Sequence, residues 1–398
     1  MGSSSVNEII ELCSEYPFIF KFIAANDIGI TNSHQSGIYM MRAFWPLFLK
    51  REGHKGENID RHIDINWNNG VITKSRFIWY GKGTRSEYRL TRELHKIFKP
   101  EHIGSLLVIL KKGEEEFFGY ILDTDDEIEA FLSFFNLFRS RSKKNKDTGG
   151  FVSPVFGYQE VPLEKCFENE INNLLPVIGN VFPTTAIMSE YARKICSNCH
   201  YTGIPDEELL KWRDTEFRLF KKIEEKTVLE RINQKFDSVD QFTAYANSVV
   251  NTRKSRAGHS LENHLSATFD KFNIPYSCNP VIEGKKKPDF IFPGVDSYND
   301  ESYPAEKLVF LGAKTTCKDR WRQVITEADR IPEKHLFTLQ EGISEYQLDE
   351  MEEAKVLLVI PDSYRDCYPK NYKDTLINLN SFLEFLNDTV GNIPAQIR

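Results

Sequence analysis

Lys286-Lys287-Pro288-Asp289-Phe290-Ile291-Phe292 and Leu308-Val309-Phe310-Leu311-Gly312-Ala313-Lys314 are the two stretches on which the fold turns. Each is an apolar run of strand length with a charged side chain at one end. Proline before Asp289 holds the turn extended, so the first run opens on a carboxylate, and the second closes on a lysine. A buried strand end is a rigid place from which to aim a side chain. Working outward, the order after Gly258 reads helix (261–272), strand region (279–283), strand (289–292), strand (308–313), helix (318–330), strand (335–339), helix and strand (355–360). That alternation predicts an α/β domain with a central mixed sheet.

The 398-residue chain is longer than one hydrophobic core usually organises, so two domains are expected. Residues 1–165 mix short strands (70–80, 106–111, 117–122) with one amphipathic helix at 126–138, a strand-rich α+β pattern. The basic run 139–146 before Gly149-Gly150 reads as a solvated flexible loop. A Pro-, Asn- and Gly-containing stretch at 166–185 reads as a linker, and a helical segment from 186 to 250 opens the second domain, 186–398. There is no internal repeat.

The longest apolar stretches, 106–110 and 356–360, are too short to cross a bilayer, and the start carries neither an apolar leader nor a myristoylation signal. A cytoplasmic protein without membrane contact is the expectation. Seven scattered cysteines suit reduced thiols better than a disulfide framework. Cys196-Ser197-Asn198-Cys199-His200 has the spacing of a zinc knuckle or a c-type haem site. The haem reading requires export and the zinc reading a second ligand pair, which the neighbouring sequence lacks. A formal net charge of −7 excludes a protein that simply coats nucleic acid, so any DNA binding rests on local patches. Residues 251–335 carry fourteen Lys or Arg against twelve Asp or Glu, whereas 336–398 carry five against eleven, so the acidity lies away from Asp289 and Lys314.

Hydrolysis of a phosphodiester needs a divalent ion held by carboxylate and carbonyl oxygens, an activated water, and positive charge beside the phosphate. Asp289 suits the first need and Lys314 the last. The nuclease pattern Pro-Asp…(Asp/Glu)-x-Lys wants an acid two residues before the lysine, and Gly312 stands there instead. A substitute lies on the next predicted helix. Thr316 and Asp319 read as a capping box, Trp321, Val324, Ile325 and Ala328 as the buried stripe, and Glu327 as a carboxylate off that stripe on the face of Arg320 and Gln323.

Several long motifs, in order, resemble the EcoRII-type restriction endonucleases. They are Ser255-Arg256-Ala257-Gly258-His259-Ser260-Leu261-Glu262, Glu283-Gly284-Lys285-Lys286-Lys287-Pro288-Asp289-Phe290, Lys314-Thr315-Thr316-Cys317-Lys318-Asp319-Arg320-Trp321-Arg322-Gln323, Glu327-Ala328-Asp329, and His335 to Gly342. The similarity spans most of residues 237–361. It implies a restriction-endonuclease-like catalytic domain in which a migrated glutamate is a family trait. Asp289 and Glu327 would be catalytic carboxylates, Lys314 the catalytic lysine, and the Ala313 carbonyl, with Asp289, a ligand to Mg2+. Tyr298 matches a family active-site tyrosine, and Glu262 would complete the acidic cluster. A loop aromatic and a solvated helix residue are the alternatives for these two.

Lys318-Asp319-Arg320 corresponds to the family's base-reading triplet, a chemistry suited to C·G pairs because Arg and Lys donate to guanine and Asp accepts from cytosine. Arg213 and Phe217, four apart on a predicted helix, match the pair that stacks on flipped nucleotides, with ordinary packing of Phe217 as the alternative. In the first domain, Asn26-Asp27-Ile28-Gly29 and His34-Gln35-Ser36-Gly37-Ile38-Tyr39 resemble the family's effector-DNA-binding pseudobarrel, a fold shared with plant B3 transcription factors. His34, Tyr39, Arg76 and Lys82 fall at matching DNA-contact positions, while Ile72, Lys74 and Ser75 replace family basic positions.

The resemblance therefore implies a homodimeric, Mg2+-dependent type II restriction endonuclease. It would cut duplex DNA at a CC(A/T)GG- or CCNGG-like site, bind a second site copy through the first domain, and have a cytosine methyltransferase as genetic partner. A catalytically silent DNA-binding protein and a repair or mobile-element nuclease are the competing readings. The retained Asp289, Lys314 and Glu327 weigh against the first, and the base-reading triplet against the second.

Overall fold

The computed structural model describes residues 5–28, 37–137, 149–154, 157–158, 164–179, 182–199 and 202–390. The chain divides into two compact units, Met1–Val161 with Gln340–Asp349 and Tyr364–Lys373, and Pro162–Leu339 with Glu350–Ser363 and Asp374–Arg398.

The first unit is built on nine strands: β1 (Phe18–Phe22), β2 (Ile38–Met40), β3 (Asn58–Trp67), β4 (Ile72–Tyr80), β5 (Glu87–Thr91), β6 (Leu106–Lys111), β7 (Phe117–Leu122), β8 (Gly149–Ser153) and β9 (Gly157–Tyr158). Its helices are α1 (Val6–Glu15), α2 (Trp45–Phe48) and α3 (Asp125–Phe134). The strands form one sheet in the order β2-β5-β4-β3-β7-β6-β1-β8-β9. All described pairings are antiparallel except β3 with β7. β1 is buried on both faces because both are covered, and its one charged residue, Lys21, is paired with Asp27 at 2.7 Å. Phe18, Phe20 and Phe22 pack with Ile9, Ile128 and Phe131 of α1 and α3, and Ile19 joins a second cluster with Phe44, Phe77, Trp79 and Leu90. β4 instead alternates: Thr73, Ser75, Phe77 and Trp79 are buried, while Ile72 and Lys74 are exposed and Arg76 is half-buried.

Both α1 and α3 start on capping boxes, Ser5 with Glu8 and Thr124 with Glu127. The helix expected at 126–138 stops at Phe134, because Asn136 takes the left-handed backbone (φ 48°) that asparagine tolerates better than most residues. The basic run 139–146 lies outside the described residues. Gly104, at φ 83°, comes so close to Gly342 that a β-carbon would stand 2.3 Å from its carbonyl oxygen. Gln340 Nε2 also donates to the Gly104 carbonyl at 2.8 Å.

The second unit opens with α4 (Lys165–Ile178), α5 (Thr185–Cys199), α6 (Pro205–Asn233) and α7 (Val239–Lys271). Much of the stretch expected as a linker, 166–185, is thus helix. Phe167 and Ile171 of α4 are buried against Met188, Ile195, Leu219 and Phe220, and that apolar spacing outweighs the composition that suggested a loop. Cys166 and Cys199 form a disulfide with Cα atoms 5.8 Å apart, which corrects the expectation of reduced thiols throughout. Cys196 is buried with Sγ 3.2 Å from the Thr215 hydroxyl. Cys199 is committed to Cys166 and Cys196 to the helical core, which leaves the 196–200 motif no pair of free thiols. His200 lies outside the described residues.

The five remaining strands are β10 (Ser277–Cys278), β11 (Phe290–Phe292), β12 (Val309–Lys314), β13 (Lys334–Thr338) and β14 (Val356–Val359), in that spatial order. β10, β11 and β12 pair antiparallel, and β12, β13 and β14 pair parallel, giving the expected mixed sheet. Among the described residues the remaining α-helices are α8 (Val295–Asn299), α9 (Trp321–Ile325), α10 (Glu345–Glu353) and α11 (Leu379–Val390).

Candidate active site

Asp289 immediately precedes β11 and is only 7% exposed. Its Oδ2 accepts a hydrogen bond from the Ala313 backbone N–H at 2.7 Å and stands 3.0 Å from Lys314 Nζ at the end of β12. The antiparallel register, Phe290 opposite Leu311, brings these two strand ends together. The acid absent from position 312 has a steric explanation. A β-carbon on Gly312 would lie 2.9 Å from Val324 Cγ1 and 3.3 Å from Leu336 Cδ1, so α9 and β13 occupy the space a side chain there would need.

Glu327 supplies a second carboxylate, but not from a helix. The helix expected at 318–330 is confined to Trp321–Ile325, and Glu327 sits in the turn that follows, just before Ala328 at φ 50°. The expected capping box is not formed: Arg320 is the N-cap and makes no side-chain cap. Trp321, Val324 and Ala328 are buried as expected, whereas Ile325 is exposed. A helix this short cannot place Arg320, Gln323 and Glu327 on one shared face. The Glu327 carboxyl is pushed up to about 7, first by burial and then by the Asp289 charge, with Lys314, Lys334 and Lys286 acting in the opposite direction. Two carboxylates and a backbone carbonyl beside a lysine form a donor set suited to a hard cation.

The remaining sequence-predicted residues divide. Glu262, on α7, accepts from Asn279 Nδ2 at 2.9 Å, and the Asn279 backbone N–H donates to the Asp289 carbonyl at 3.0 Å, so Glu262 joins the strand end at one remove. Among the described residues, no group of three or more His, Cys, Asp or Glu is gathered tightly enough for a metal ion. Tyr298, on α8, is 2% exposed and donates its hydroxyl to Glu283 Oε1 at 2.7 Å. Burial first and then that bond raise its pKa.

Lys318, Asp319 and Arg320 occupy the irregular segment between Lys314 and α9. Asp319 is exposed and Arg320 half-buried, but Lys318 is only 3% exposed. Arg213 and Phe217 lie within α6 at 4% and 2% exposure, and the Arg256 guanidinium of α7 stands 5.2 Å from the Phe217 ring. Of the first-unit positions, His34 lies outside the described residues. Tyr39 on β2 pairs with Arg89, and Arg89 with Ile78, which puts Tyr39 and Arg76 on one face of the sheet. Arg76 is ion-paired with Asp60 at 2.8 Å, and Lys82 is exposed just beyond β4. Ser75 faces the opposite way, fully buried against Thr73, so it lies off the face that carries Arg76.

Sequence reasoning missed the residues that hold the Glu327 turn. Glu283 Oε1 accepts from the Asp329 N–H at 2.7 Å, Lys286 pairs with Asp329 at 2.7 Å, and Lys334 donates to the Ala328 carbonyl at 2.6 Å. Burial lowers Lys334 to about 8. Glu283 and Asp329 lay inside quoted motifs, but no periodicity joins positions so far apart in sequence.

Comparison with known proteins agrees with both halves of the chain. The family described as "EcoRII C terminal" matches residues 220–383, and "Restriction endonuclease EcoRII, N-terminal" matches 13–132. The type II restriction enzyme EcoRII of Escherichia coli is 33% identical over 410 aligned residues, covering 98% of each chain. The type II restriction enzyme SsoII of Shigella sonnei is 31% identical over 143 residues, covering 31% of this chain and 46% of that protein. Among solved structures, the PspGI–substrate DNA complex aligns with a TM-score of 0.44 at 15% identity, over 52% of this chain and 93% of that one. Metal-depleted Ecl18kI with uncleaved, modified DNA aligns at 0.43 and 21%, over 56% and 83%. No helix among the described residues is long and apolar enough to cross a membrane. With one relative matched along almost its entire length and both of its domains represented, this chain belongs to the EcoRII family of type II restriction endonucleases.

Proposed function

We propose that the chain hydrolyses duplex DNA with Mg2+ held by Asp289, Glu327 and the Ala313 carbonyl, and with Lys314 as the cationic group at the phosphate. The observation that carries this reading is the meeting of two strand ends, where Asp289 Oδ2 accepts from the Ala313 N–H at 2.7 Å and stands 3.0 Å from Lys314 Nζ. Mg2+ keeps several waters and takes only one or two protein carboxylates, which two acids and a carbonyl suit. When bound, it supplies charge neutralisation at the phosphate and a more acidic water. The chain's own part is positional. The Ala313 N–H orients Asp289 toward the strand end, and Lys314 presents an ammonium whose attraction grows as negative charge develops on the phosphate.

Lys318, Asp319 and Arg320 are the base-reading candidates, aimed at a CC(A/T)GG- or CCNGG-like target, and Lys318 must leave its burial to take part. Arg213 and Phe217 are the candidates for stacking on flipped nucleotides, which requires displacing Arg256 from the ring. A homodimer fits an enzyme with one such site per chain that must cut two strands. Leu229, Ile232, Val239 and Phe242, exposed where α6 passes into α7, are apolar surface suited to a second copy.

The first unit, in which one of the two apolar clusters draws side chains from β1 through β7, is read as a pseudobarrel that binds a further copy of the site through Tyr39, Arg76 and Lys82. A first domain of 1–165 and a nuclease domain of 186–398 go with that reading, the nuclease side being extended to take in α4. A cytosine methyltransferase encoded nearby is the expected protection of host DNA.

Digestion of sequenced plasmids with Mg2+, followed by end sequencing, tests the proposal. A single cut position within a repeated short sequence supports it, and random ends contradict it. One-site plasmids should be cut slowly and rescued by added duplex carrying the site. Equal rates on one-site and two-site plasmids would remove the effector role alone.

A further inference from the structure

Glu327 stands where backbone geometry gives it no natural support. α9 ends two residues earlier, and Ala328, immediately after it, holds a left-handed conformation (φ 50°) that is strained for a residue with a β-carbon. Such a turn persists only if its surroundings over-determine it. The contacts that do so converge on one acceptor. Glu283 Oε1 receives the Tyr298 hydroxyl at 2.7 Å and the Asp329 backbone N–H at 2.7 Å. The Arg330 backbone N–H reaches the Tyr298 oxygen at 3.4 Å, and the Arg330 side chain donates to the carbonyls of Tyr298, Asp300 and Tyr303.

Glu283 itself belongs to a tight turn that ends just before Asp289. Its carbonyl accepts from Lys286 N–H at 3.2 Å, the Lys286 carbonyl accepts from Ile282 N–H at 3.0 Å, and Lys286 Nζ bonds both Asp329 carboxylate oxygens. Burial disfavours a charge on Glu283, yet its hydrogen bonds outweigh that and hold the carboxyl below its ordinary range.

We infer that Glu283 and Tyr298 are positioning residues: the Tyr298–Glu283–Asp329 N–H clasp fixes the turn that carries Glu327 at the spacing from Asp289 needed to share a cation. Tyr298 then acts through Glu283 and touches neither DNA nor metal, in keeping with a hydroxyl that is buried and already committed. This deepens the proposed function and rests on Asp289 and Glu327 being the metal-binding pair. The clasp does for the displaced acid what a strand ladder does for an acid in its usual place.

The test uses the full chain with Glu283→Ala, Glu283→Gln and Tyr298→Phe. Three quantities are read: the Mg2+ concentration for half-maximal plasmid cleavage, Mn2+ binding without DNA by calorimetry, and amide exchange at Asp329 without metal. Glu283→Ala and Tyr298→Phe should raise the Mg2+ midpoint and weaken Mn2+ binding together by about 10- to 100-fold, the usual effect of losing a group that orients a ligand. The rate at saturating Mg2+ should fall far less than in Asp289→Ala. Asp329 exchange should accelerate in Glu283→Ala, and Glu283→Gln, which keeps an acceptor oxygen, should recover most of the loss.

A folded Glu283→Ala with a wild-type midpoint overturns the inference. So does a Tyr298→Phe that loses maximal rate with Mn2+ binding unchanged, because Tyr298 would then act on the DNA itself. If Glu283→Ala fails to fold, Tyr298→Phe decides by the same criteria. Cleavage by Asp289→Ala at wild-type rate would instead sink the underlying site, a distinct outcome.

Discussion

The strand end at Asp289 and the turn at Glu327 hold their carboxylates by opposite means, and the charge of the first is felt by the second. Asp289 is held by the ladder: it abuts β11, and its Oδ2 accepts from a backbone N–H on the neighbouring strand. Glu327 follows a single helical turn and precedes a left-handed alanine, and side chains from distant segments hold that turn down. A position held by sheet geometry tolerates variation around it, whereas one held by side chains depends on each of them. Position 312 itself has no room for an acid. The space next to Gly312 is taken by Val324 of the helix that leads to Glu327.

The largest expected effect breaks the ladder side. Asp289→Ala and Lys314→Ala should each lower single-turnover cleavage by at least about 100- to 1,000-fold, the scale of removing one group that meets developing charge, while binding of duplex without metal is kept. Quantitative cleavage assays beside gel-shift titrations check this, and normal cutting by either variant would end the assignment.

Next in size is the segment joining the two carboxylates. Arg320→Ala should weaken specific binding by about 1–3 kcal/mol per half-site, the worth of a bidentate base contact, with random duplex affected much less. Equal losses on both duplexes would reassign Arg320 to the phosphate backbone.

A pH experiment sharpens the electrostatic side of the comparison. The Glu327 carboxyl is raised to about 7 from an ordinary value of 4.5, so the folded protein holds its proton where the unfolded chain has lost it. Its contribution to stability is complete below pH 4.5 and is lost as pH rises through about 7. Glu327→Gln resembles the protonated acid, so metal-free Glu327→Gln should become progressively more stable than wild type over that window. The gain should be on the order of 2 kcal/mol, less than the full shift implies because Glu327 is partly open to solvent that screens it, and should level off above that window. Parallel stability curves from pH 4 to 9 would show that Glu327 feels neither burial nor Asp289.

The smallest effect concerns backbone strain on the turn side. Ala328→Gly removes a β-carbon from a left-handed position, and the relief is partly offset by the entropy of glycine, so a stabilisation of up to about 1 kcal/mol is expected in denaturant melts. A clear destabilisation would mean that the fully buried Ala328 methyl group matters more for packing than the backbone does for strain.

The same contrast separates what was legible in the sequence from what was not. Asp289 and Lys314 could be found because proline, an apolar run and a terminal charge are local signals of strand ends, and the structure pairs those strands as their order suggested. Glu327 was singled out as a candidate and expected on a helix, but it lies in the turn after one. Trp321, Val324 and Ala328 are buried at helical spacing, yet Ala328 is buried by a turn, and side-chain pattern does not register the sign of φ. Glu283 escaped notice because its partners Tyr298 and Asp329 are joined to it only in three dimensions. In the helical segment, the four-residue spacing of Arg213 and Phe217 was correct, but spacing says nothing of exposure, and both are buried. The helix α4 was hidden by proline and asparagine that its packed face overrides.

The measurement that most directly tests the account is single-turnover cleavage by Glu327→Ala at saturating Mg2+, set beside Mn2+ binding to the same protein without DNA. If the turn after α9 supplies the acid that Gly312 lacks, cleavage should collapse to the level of Asp289→Ala and Mn2+ affinity should fall with it. Full activity with unchanged Mn2+ binding would contradict the account, because the second carboxylate of the site would then have to come from elsewhere in the chain.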